Sequence, residues 1–228
     1  TISKQKNAGL QVGWRYVAIK FGIRLCDVVI SQTELMSTDL INFMGVHKEK
    51  IKIIRNPVDM EYITSQVSNV KSPFDSDYIN IVASGRITKQ KGFDDLINAF
   101  SLVVDKNKKY RLHILGEDKD NLTSSLNRQA VTYGIQDYIT FYGQVDNPFV
   151  FYKYCDLFVL SSRWEGLPNV VLECKFLGKP VVSTKCVPEL ESILNDGVSD
   201  YLVDVGDYKA MADKILCHRD LTQVSKYD

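Results

Sequence analysis

The sequence predicts an α/β protein, a Rossmann-like doubly wound parallel sheet preceded by a smaller and incomplete α/β piece. From residue 79 onward, short apolar runs alternate with stretches of helical periodicity, which is βαβα order. The runs are unbroken and rich in β-branched residues, as expected of parallel strands buried on both faces. At 228 residues the chain is also long enough for one large or two modest domains.

The first piece, residues 1–60, reads as a helix to about Arg24, a strand in "DVVIS", a helix in "TELMSTDLINFMG" and a strand in "KIKII" that ends at Asn56-Pro57. Its helix has no preceding strand to pack on, so these residues read as the remnant of a larger N-terminal domain. Residues 61–78 are polar, broken by Pro73, and read as a linker. Residues 79–228 carry the main domain. The expected strands are "YINIVASG", "YRLHILG", "YITFYG", "DLFVLSS", "PVVST" and "YLVDV". The helices between and after them are "FDDLINAFSLVV", "SSLNRQAVTYG", "NVVLECKFLG" and "DYKAMADKIL".

Twenty-eight basic and 28 acidic residues cancel, so no global field draws this chain to nucleic acid or to an anionic membrane. Five widely spaced cysteines fit reduced thiols, and hence a cytoplasmic setting, better than a disulfide framework. His47, His113 and His218 are scattered, with no spacing suited to zinc, and no metal site is expected. Asp118 and Asp120, separated by one lysine, form the nearest approach to a metal-binding carboxylate pair; two acids at a loop tip are more often solvated.

Ligands of open parallel sheets sit beyond the carboxyl ends of the strands, so the residues after each run matter most. After the first strand of the main domain come Gly85, Arg86 and Lys91. Glycine permits close backbone approach, and a guanidinium with an ammonium five residues on is placed to grip two phosphates. The bland reading is a pair of solvated cations. In "SSRWEGLPNVVLE", Pro168 suits the first position of a helix, leaving the amides of Asn169 and Val170 open as an anion site. Glu173 lies on a stripe with Val170 and Leu177, bordering an apolar face, where a carboxylate needs hydrogen-bond donors or a cation. Sugar hydroxyls would serve; so would a structural ion pair with Arg86 or a lysine. Trp164 reads equally as a pocket wall or as core.

"EGLPNVVLE", Glu165 to Glu173, resembles the E-x7-E signature of retaining glycosyltransferases of the GT-B fold, in particular glycosyltransferase family 4. "NPVD" (56–59), "SGRITKQKG" (84–92), "LGED" (115–118), "FYGQVDN" (141–147) and "PVVST" (180–184) follow the family's order, and the likeness runs from Asp27 to Asp213. The resemblance implies a hexosyltransferase that uses a nucleotide diphosphate sugar as donor substrate, with no cofactor and no metal, and extends a glycan or lipid-linked saccharide, as in bacterial surface polysaccharide. It assigns Glu173 to the ribose and Glu165 to the transferred sugar. Arg86 and Lys91 fall to the diphosphate, aided by Gly85, Gly166 and the amides near Leu167, Asn169 and Val170. The base falls to the backbone at Gln144 and Val145. It also implies residence in the cytoplasm or at the inner face of the membrane, with peripheral contact through the N-terminal domain, and a chain that transfers no sugar by itself.

This sequence departs from the family pattern around Cys186 to Glu189, where a loop is shortened, and at Asp200, where glycine is common. The alternative reading is a non-catalytic nucleotide-sugar-binding module, or a subunit that needs a separate acceptor-binding chain.

Overall fold

The computed structural model describes residues 14–194 and 202–222. Asp200 lies outside the described residues. Contacts divide the chain into two compact units. One comprises Thr1–Pro57 with Trp164–Pro168 and Val187–Glu189; the other holds the remainder.

In the first unit, α1 (Trp14–Leu25) leads to β1 (Val29–Ser31), which pairs in parallel with β2 (Ile51–Ile53). Between them α2 (Glu34–Asp39) starts at Thr33, whose side chain accepts the Met36 amide at 3.1 Å. The helix expected across "TELMSTDLINFMG" is not uniform, because Leu40–Met44 widens into a π turn before Gly45. Cations sit on both helix ends here. Arg24 Nε donates to Met44 O at 2.8 Å, and Lys50 Nζ donates to Arg24 O and Cys26 O at 3.1 and 3.0 Å, which suits the negative carboxyl ends of the helices.

The second unit opens with α3 (Met60–Val67), so the polar stretch expected as a linker contains a packed helix. Asp59 caps it by accepting the Tyr62 amide, and Ile63 and Val67, four apart on one face, are buried. Its carboxyl end is held from α6 (Pro148–Tyr154): Lys153 Nζ donates to Val67 O at 3.0 Å and Tyr154 OH to Val70 O.

The main sheet has six parallel strands in the order β5-β4-β3-β6-β7-β8. They are β3 (Ile79–Ser84), β4 (Tyr110–Leu115), β5 (Ile139–Gly143), β6 (Leu157–Leu160), β7 (Val181–Thr184) and β8 (Leu202–Val203). The intervening helices are α4 (Phe93–Lys106), α5 (Thr123–Thr132), α6, α7 (Asn169–Phe176) and α8 (Glu189–Leu194), and α9 (Tyr208–Thr222) follows β8. This is the doubly wound parallel sheet that the alternating runs predict. Ile79, Ile81 and Ala83 of β3 point to one face, in a core with α4, α5 and α9. Val82 and Ser84 turn the other way, where Ser84 meets Tyr152 of α6. The order reverses between β3 and β6, which makes their carboxyl ends the switch point where such sheets take ligands.

Among the described residues none of the five cysteines is in a disulfide, and Cys155, Cys174 and Cys186 are buried. Among the described residues no helix is long and apolar enough to cross a membrane.

Candidate functional site at the carboxyl ends of β3, β4 and β5

The chain leaves β3 through Gly85 at φ +147° and leaves β4 through Gly116 at φ +149°, a backbone region that side chains disfavour. At Gly116 the neighbouring backbone also leaves no space for a side chain, whereas at Gly85 the neighbour is the flexible Lys91 side chain. A Cβ on Gly116 would stand 1.9 Å from Gly85 O, and one on Gly85 would stand 2.5 Å from Lys91 Cε. The two loops therefore meet backbone to backbone, with the Lys91 stem lying across Gly85. Gly85 N donates to Leu115 O at 2.9 Å, Gly116 N to Gly143 O at 2.7 Å and Ile87 N to Glu117 O at 2.8 Å, so the ladder continues past the strand ends.

These loops line an open cleft of about 260 Å³ formed by Ser84, Gly85, Arg86, Leu115, Gly116, Glu117, Gln144, Val145 and Pro148. Four residues chosen from sequence, Gly85, Arg86, Gln144 and Val145, come together here, with Lys91 against Gly85. Arg86 is exposed, and among the described residues its side chain makes no hydrogen bond or ion pair. Gly116 and Glu117, part of "LGED", line the cleft too, and the sequence signal for them is the glycine that directly follows an apolar run.

The helix expected from Pro168 begins at Asn169, one residue later. The amides of Asn169 and Val170 stand in its first turn, where no intrahelical acceptor exists. Asn169 Oδ1 is shut from solvent without a donor among the described residues. The buried stripe of α7 is Val171 and Cys174, and Glu173 borders it, half-buried. Burial raises the pKa of Glu173, and among the described residues its carboxylate makes no ion pair or hydrogen bond, so the structural pairing with Arg86 or a lysine is not formed. Tyr152 lies nearby. Burial, joined by the nearby Glu173 carboxylate, pushes its phenol well up, and its hydroxyl donates to Ser84 Oγ at 2.8 Å.

Glu165, Gly166 and Leu167 occupy the loop between β6 and α7, which groups with the first unit. There a Cβ on Gly166 would have ordinary room, 3.5 Å from Met36 Sδ, and Leu167 is buried. Trp164 and Glu165 are both half-buried.

Sequence reasoning passed over Arg163. Its guanidinium forks onto Asp94 at 3.0 and 2.8 Å and reaches Asp95 at 2.7 Å, and its Nη1 donates to Lys89 O at 2.6 Å. Partial burial opposes ionisation of Asp94, but Arg163 outweighs it and holds the carboxyl below its ordinary value; for Asp95, burial and the Asp94 charge prevail and the pKa rises. Asp118 serves α5: its two oxygens accept the Leu122 and Thr123 amides at 2.9 and 2.8 Å, and hydrogen bonding from Thr123 keeps its pKa low.

The family described as glycosyl transferases group 1 matches residues 65–217. An uncharacterised glycosyltransferase of Methanocaldococcus jannaschii is 34% identical over 177 residues, covering 75% of this chain and 42% of that protein. The capsular polysaccharide biosynthesis glycosyltransferase CapM of Staphylococcus aureus is 28% identical over 172 residues, 75% of this chain and 42% of its own length. The chain thus spans less than half of these relatives. In three dimensions, Anabaena HepE, solved in complex with UDP, superposes with a TM-score of 0.75 at 22% identity, over 90% of this chain and 57% of that one. Its fold and this one are of the GT-B type. With a match across most of its length, this chain belongs to the glycosyl transferases group 1 family.

Proposed function

We propose that the six-stranded unit binds the nucleotide diphosphate sugar of a retaining, metal-independent hexosyltransferase of glycosyltransferase family 4, which extends a glycan or lipid-linked saccharide in surface polysaccharide synthesis. The observation that carries this reading is the cleft at the carboxyl ends of β3, β4 and β5. It joins two close-approach glycines, an unpaired guanidinium and the Gln144–Val145 backbone. The UDP complex of HepE and the capsular role in the name of CapM support the choice of donor and pathway class.

In this reading the base lies along Gln144 and Val145, and Glu173 accepts from the ribose hydroxyls. Arg86, Lys91 and the first-turn amides of α7 receive the diphosphate. Glu165, with Gly166 and Leu167, serves the transferred sugar. Transfer breaks the bond between the anomeric carbon and the diphosphate oxygen, and negative charge grows on the leaving group. Cations fixed beforehand stabilise that charge more than they stabilise the ground state, which lowers the barrier.

Calorimetry of the chain with UDP, ADP and GDP, each with EDTA, tests the reading. One nucleotide binds, and Arg86→Gln weakens it by about tenfold, the loss of one charge-assisted contact. No binding by any of the three, or binding only with magnesium, would contradict it.

A further inference from the structure

We infer that Arg163 is a positioning residue, which fixes Lys91 at the donor diphosphate by holding the backbone that carries it. The inference rests on the donor-site reading above and concerns a residue outside the cleft lining.

Residues Lys89–Lys91 form a single 3₁₀ turn between β3 and α4. Such a turn is short and poorly bonded within itself. Here its three successive carbonyls all accept from the segment leaving β6. Arg163 Nη1 reaches Lys89 O at 2.6 Å, the Arg163 amide reaches Gln90 O at 2.7 Å, and Ser161 Oγ reaches Lys91 O at 2.8 Å. The same guanidinium grips Asp94 and Asp95 in the first turn of α4. One side chain thus ties the turn, the following helix and the neighbouring strand end at the switch point between β3 and β6.

Two consequences follow for the diphosphate. The Lys91 backbone is held on one side of a stem that crosses Gly85 on the other, so the ammonium is placed before ligand arrives. Asp94 and Asp95 would also set two negative charges just beyond Lys91, and Arg163 offsets them. Both terminal nitrogens of Arg163 are engaged with protein acceptors, so its effect on a ligand passes through Lys91.

The test measures UDP and uridine affinity by calorimetry for the intact chain and its variants, with thermal unfolding as a check on folding. Arg163→Gln is expected to weaken UDP about tenfold through lost preorganisation and to leave uridine unchanged, while Arg163→Lys recovers part of the loss. In a Lys91→Ala background, Arg163→Gln should add nothing. Full additivity, or equal losses for UDP and uridine, would overturn the positioning role. If Lys91→Ala weakens UDP and Arg163→Gln does not, this inference fails alone; if Lys91→Ala binds UDP as the parent does, the donor-site reading fails. Should Arg163→Gln not fold, Ser161→Ala cuts only the tie to Lys91 O and must show the same non-additive loss; additivity there overturns the inference equally.

Discussion

Gly85 O lies 1.9 Å from the point where a Cβ on Gly116 would stand, so the loops leaving β3 and β4 touch through bare backbone. Gly116→Ala must therefore spread the strand ends or strain a positive-φ residue. A destabilisation of about 1–3 kcal/mol is expected, read as a lower urea midpoint with an unchanged slope. A neutral substitution would show that the contact is not needed.

Glu173 offers a test by the sign of a stability change. Burial raises its folded pKa above the unfolded value, so the unfolded chain releases this proton first and stability falls as pH rises through that window. Glu173→Gln should accordingly stabilise the chain at neutral pH, with the gain vanishing in acid. A structural ion pair demands the opposite. The same variant should lose affinity for ribonucleotides more than for 2′-deoxy analogues, the pattern of a group kept for binding at a cost in stability.

His113 titrates in the other sense. Asn80 Nδ2 donates to Asp75 O and Tyr78 O, so Asn80 Oδ1 accepts from His113 Nε2 at 3.0 Å, leaving Nδ1 to accept from Tyr142 OH at 3.2 Å. Burial, with Arg111 nearby, lowers the ring's pKa from 6.5 to about 4. The unfolded state binds the proton first as pH falls, so stability should drop between pH 6.5 and about 4. His113→Gln should flatten that slope in urea titrations; an unchanged slope would place the acid sensitivity elsewhere.

Local pattern carried the fold and much of the site. Each strand from β3 to β7 is legible as a short, mainly apolar run, and Gly85 and Arg86 follow from it because the residue after a strand end is fixed by the strand, whereas Gln144 and Val145 came only from the family resemblance. What escaped was set by partners distant in sequence. Arg163 meets acids 68 and 69 residues away, and nothing near "SSRW" announces them. The helix α3 escaped because "MEYITSQV" is only eight residues long and runs into a polar stretch broken by Pro73, and its burial depends on α6, far along the chain. The acids at Asp118 and Asp120 looked alike in sequence, but the chain's return into α5 gives Asp118 two amides to cap.

The glycines that shape the cleft also report on it. In two-dimensional amide spectra of the chain titrated with UDP and no metal, the signals of Gly85, Gly116, Gln144, Val145, Asn169 and Val170 should move together with one dissociation constant. Uridine should move Gln144 and Val145 but leave Asn169 and Val170 in place. Shifts confined to residues outside this set, or shifts at Asp118 to Asp120 that require magnesium, would contradict a donor site at the carboxyl ends of β3, β4 and β5.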